Sequence, residues 1–108
     1  MKYKEIFRLK EMLEKADIQF SFAERFDGYR IRYPEHGICV CSVIEFDGSY
    51  GSSEDKLEIM GLLTRKEEKD GSVLGHLSAE EVFKRIKRDY LWKRIRNYFK
   101  NILDNVLN

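Results

Sequence analysis

The stretch "IQFSFAERFDGYRIRY" (Ile18–Tyr33) decides the fold class. Ile18, Phe20 and Phe22 alternate with Gln19 and Ser21, and Tyr29, Ile31 and Tyr33 alternate with Arg30 and Arg32. A period of two sends one set to a buried face and the other to water. Between the two runs, Asp27-Gly28 is a pair favoured in a two-residue type I′ turn. The stretch therefore predicts an antiparallel hairpin.

Upstream, Ile6, Leu9, Leu13 and Ala16 recur at helical spacing, with Phe7 and Met12 widening the stripe, so "KYKEIFRLKEMLEKAD" predicts an amphipathic helix. Downstream, Pro34 ends the second strand and "ICVCSVIEF" (38–46), rich in β-branched residues and apolar on both faces, predicts the most buried strand. "DGSYGSSED" (47–55) reads as a loop, with Ser53 an N-cap for a short second helix in "EDKLEIMGLL" (54–63). Thr64 and Glu67 have capping-box spacing for another helical turn, and "SVLGHL" (72–77) offers a short fourth extended segment. In "LSAEEV", Ser78 is an N-cap, Glu81 its reciprocal partner, and Leu77 is placed to staple onto Val82, which starts a helix at Ala79.

The expected fold is α+β: a three-stranded antiparallel sheet with helices packed on one face, in the order α-β-β-β-α-α, and a long basic C-terminal helix. A chain of 108 residues suits one domain, here a body over residues 1–90 with a helical extension over 91–108. No apolar run approaches a membrane span and the N-terminal residues lack a signal peptide's apolar block, so a cytoplasmic protein with no membrane partner is expected. Two cysteines, Cys39 and Cys41, give no disulfide framework; on a strand they share a face.

The formal net charge of +1 conceals a strong asymmetry. Residues 84–100 hold eight bases against Asp89 alone, a balance of +7, and the rest of the chain stands at −6. The last helix also changes face. Val82, Phe83, Ile86 and Tyr90 form one apolar side, whereas Leu91, Trp92, Ile95, Tyr98, Phe99, Ile102, Leu103 and Val106 centre roughly 160° to 170° away. Either the helix breaks near Asp89 and its second half folds back, or it runs on and offers a new apolar face to another chain. Leu91, Trp92, Ile95, Tyr98, Phe99, Ile102 and Leu103 are thus candidate partner-binding residues, with self-association the simplest case. Lys84, Arg85, Lys87, Arg88, Arg94 and Arg96 are candidates for nucleic-acid phosphates or for steering an acidic partner.

Catalytic and metal chemistry have little to build on. His36, Cys39 and Cys41 form H-x2-C-x-C, but zinc needs a fourth ligand and there is no second Cys pair. No nucleophile, base and orienting group can be assigned, and "GSYGSS" lacks the Lys-Ser/Thr ending of a phosphate loop. No enzyme activity, metal or cofactor is expected.

Two resemblances add context. The order helix, three strands, helix over residues 3–63, with "GSYGSSEDKLEIM" as a Gly-rich loop entering a helix, resembles the layout of double-stranded-RNA-binding domains. That family reads phosphates with a pair of lysines at the helix start; here Glu54 and Asp55 stand there, with only Lys56 basic. "CSVIEFDGSYGSSEDKLEIMGLL" followed by "GHLSAEEVFKRI" resembles small proteins encoded in prophages and mobile elements of Gram-positive bacteria. That resemblance implies a non-catalytic protein that binds or inhibits host or phage machinery, such as an immune-system nuclease.

Overall fold

The computed structural model describes residues 3–25, 28–46 and 57–107. Helix α1 (Lys4–Lys15) is followed by strands β1 (Ser21–Arg25), β2 (Gly28–Tyr33), β3 (Cys41–Phe46) and β4 (Leu57–Met60). A short helix α2 (Arg65–Lys69) then precedes β5 (Val73–Leu77) and the long α3 (Ala79–Leu107). The class is α+β, but the sheet has five antiparallel strands in the order β1-β2-β3-β4-β5 where the sequence predicted three.

The hairpin forms, with Phe22 opposite Ile31 and Glu24 opposite Tyr29, but its first strand begins only at Ser21, so Ile18 and Phe20 of the alternating run precede it. Its register closes at Arg25 opposite Gly28, so Gly28 belongs to β2 and the connecting residues, Asp27 included, lie outside the described residues. Glycine is needed at 28 for close approach: a Cβ there would stand 2.1 Å from the Glu45 carbonyl oxygen.

The expected second helix is corrected to a strand. Leu57 and Ile59 are buried while Glu58 and Met60 are not, a period of two over four residues. They pair with Glu45 and Val43 of β3. Gly61, at φ 97°, ends the strand where a Cβ would strike the Val40 carbonyl oxygen. The expected loop over 47–55 and the cap at Ser53 lie outside the described residues. "SVLGHL" becomes β5, with a bulge where Gly75 and His76 stand opposite Glu58, and His76 adopts φ 57° there.

Strand β3 begins only at Cys41. Ile38 is 89% exposed and Cys39 is exposed, while Cys41 is buried, so the expectation that the two thiols share a strand face fails. Burial pushes the Cys41 thiol up to about 12, which keeps it protonated and inert.

One sheet face carries Ile31, Tyr33, Cys41, Val43, Leu57 and Ile59 into the core, where Ile6, Leu9 and Leu13 of α1 and Ala79, Val82 and Ile86 of α3 cover it. Tyr29 anchors α1 over the first hairpin through ring contacts with Tyr3, Phe7 and Phe22. The buried Glu45 carboxylate accepts from the Ile6 N–H at 3.0 Å and so caps a helix whose own N-cap residue, Tyr3, makes no side-chain capping bond.

Candidate interaction surface

Helix α3 starts where its signals predicted. The Ser78 hydroxyl accepts from the Glu81 N–H at 3.2 Å, Leu77 and Val82 are both buried, and Glu5 of α1 accepts from the Ala79 N–H at 2.8 Å. Arg8 of α1 pairs with Glu80 and Glu5, which ties the two helices at this end. Further along, the Tyr33 hydroxyl donates to Asp89 at 2.8 Å, and Lys93 reaches the same carboxylate at 3.0 Å and sits over the Tyr33 ring. Burial, and then the Asp89 hydrogen bond, raise the Tyr33 hydroxyl above its ordinary range, so it remains a donor.

Beyond this clasp the body of the protein ends and the helix does not. Residues 79–107 form one unbroken helix, and the expected alternative of a break at Asp89 with a fold-back is not realised. At 1.5 Å per residue it is about 43 Å long, in a molecule of 61 × 31 × 21 Å. The radius of gyration, 16.0 Å, exceeds the roughly 13 Å of a compact chain of this size.

All seven predicted partner-binding residues fall on this outer half and all are exposed, among them Trp92 at 62%, Tyr98 at 64% and Phe99 at 58%. Val106 and Leu107 extend the set. Trp92, Ile95, Phe99, Leu103 and Leu107 line a shallow groove of about 690 Å³ edged by Arg96, Lys100 and Asp104. Trp92 and Arg96 also line a second groove of about 660 Å³, between α3 and the β4–α2 turn, with Leu62, Leu63, Lys84 and Arg88. The two depressions make one track along the helix. Leu62 and Leu63 are contributions that the sequence reading missed, because it placed both inside a helix.

The predicted basic residues are not a uniform set. Arg85 donates to both carboxylate oxygens of Glu67, at 2.8 and 2.7 Å, and to the Leu62 carbonyl at 2.9 Å. It fastens α2 and the β4–α2 turn to α3, a structural role that the sequence did not assign to it. The Arg85 hydrogen bonds hold the Glu67 carboxyl down at about 2, and Glu67 in turn raises Arg85. Thr64 and Glu67 complete the expected capping box, at 3.1 and 2.9 Å, so Glu67 does two jobs. Lys87 lies over Phe83 and Arg94 over Tyr90. Lys84, Arg88 and Arg96 edge the track.

Among the described residues no cluster of His, Cys, Asp and Glu could hold a metal ion, and no helix is long and apolar enough to cross a membrane. Compared with known proteins, the chain matches no protein family, no curated protein and no solved structure.

Proposed function

We propose that this protein acts without catalysis, by binding, and that the apolar face of the outer half of α3 is its contact surface. A second copy of the chain is the simplest partner, and a host or phage protein, as the mobile-element resemblance implies, is the other. One observation carries the reading: nine large apolar residues from Leu91 to Leu107 stand exposed on a single helix whose inner half is buried at Ala79, Val82 and Ile86. Full burial of a large apolar side chain is worth about 1.5 to 3 kcal/mol. The sum withheld from burial is comparable with the whole stability of a small domain. Lys84, Arg88 and Arg96 beside the track favour the approach of an acidic partner.

Light scattering on the intact chain and on the Ile95→Glu, Ile102→Glu double variant tests the self-association form. The expected result is a mass above one chain for the first and one chain for the second, with unchanged circular dichroism. One-chain masses for both would remove that form. Tight binding of duplex or single-stranded nucleic acid that weakens steeply with salt would reassign the surface to phosphate recognition.

A further inference from the structure

We infer that the surface is completed by a second copy lying antiparallel, the two α3 helices crossing near Asn97 so that the outer turns of each rest over Arg88 of the other. This rests on the binding reading above and specifies its partner and orientation. Trp92, Ile95, Phe99, Ile102 and Val106 alternate at spacings of three and four, the seam of a two-helix coil, with Leu91 and Tyr98 along one flank and Leu103 along the other. A crossing near Asn97 sets Trp92 against Ile102 of the second copy and Ile95 against Phe99, so each large seam residue finds a counterpart on an identical helix.

Charge chooses the direction. Continued inward, the same seam reaches Arg88, with Lys84 beside it. A parallel pair would set Arg88 against its own copy, like charge facing like. The outer turns, residues 101–107, contain no base and one acid, Asp104. In an antiparallel pair Val106 lies on the aliphatic stem of Arg88, whose guanidinium reaches water at the groove beside Leu62 and Leu63. The available area is adequate. At the 150 to 250 Å² that aromatic side chains bury, and somewhat less for aliphatic ones, the nine exposed residues present on the order of 1,000 Å² per chain. A specific interface of ordinary size uses about 800 Å² per partner.

The test is the separation of nitroxide labels in the full chain at concentrations where light scattering gives two chains. Exposed Cys39 is replaced (Cys39→Ser), buried Cys41 stays unlabelled, and single labels are placed through Lys87→Cys or Asn101→Cys on exposed positions away from the seam. The expected separations are roughly 30 Å for Lys87 and roughly 15 Å for Asn101. Short and nearly equal separations at both sites would mean a parallel pair, overturning this inference and leaving the binding reading in place. Long separations at both sites would mean that another surface joins the copies. A one-chain mass without dipolar coupling at any attainable concentration would overturn both the inference and self-association.

Discussion

From Ala79 to Tyr90, α3 presents Ala79, Val82 and Ile86 to α1 and the sheet, and its polar side carries the Arg85–Glu67 pair. From Leu91 to Leu107 the same helix continues without a break, yet no large apolar residue of it is buried. Each half carries four bases, against three acids in the inner half and one in the outer. They differ in where the apolar stripe points. In the inner half the stripe faces the core that the preceding strands create; in the outer half it has turned to the opposite side, beyond the reach of that core. Lys93 still reaches the Tyr33 ring, but a 17-residue helix whose large apolar side chains all stay exposed is marginal in water on its own.

The largest expected difference between the halves comes from trimming one isoleucine in each. Ile86→Ala empties a fully buried site, and denaturant unfolding should show a loss of about 2 to 5 kcal/mol. Ile95→Ala, measured at concentrations too low for association, should change unfolding by less than about 0.5 kcal/mol while lowering the mass seen at high concentration. Equal losses of stability would mean that the outer half is covered within its own chain.

A smaller effect is expected at the junction. Tyr33→Phe removes the hydroxyl that holds Asp89 and should cost about 1 kcal/mol in the same assay. It should also speed amide exchange beyond Asp89 more than before it. Smaller still is the contribution of the Arg85–Glu67 pair, which is best seen through pH. The folded pKa of Glu67 lies near 2, below the ordinary carboxylate value of 4.5. The stability that the pair adds is therefore present in full above about 4.5 and lost as pH falls toward 2. Glu67→Gln should flatten the acid limb of the stability profile in that window, and an unchanged acid limb would show that α2 is held by other contacts.

Much of the body and of the inner half of α3 was legible in the sequence, because the signals are local. Ser78 and Glu81 mark the helix start, Thr64 and Glu67 mark α2, and the alternation from Tyr29 to Tyr33 marks β2. Strand β4 was not legible: "LEIM" is four residues long and sits beside "GLL", so its apolar positions suit a helix as well as a strand. What decides it is pairing with Val43 and Glu45, a long-range fact. The same holds for Arg85, which looked like its basic neighbours until Glu67 and the Leu62 carbonyl were brought to it. The switch of face at Tyr90-Leu91 was legible, since it depends only on helical geometry. Whether the helix would break there was not, since that depends on what the second face can meet.

The most direct test of the contrast is amide hydrogen exchange along α3, followed as protein concentration is raised. Protection over residues 79–90 is expected at every concentration, and protection over 91–107 is expected to rise with concentration as copies associate. Rapid exchange over 91–107 at all concentrations, together with a mass of one chain, would contradict this: the outer half would then be a solitary exposed helix with no second copy to cover it.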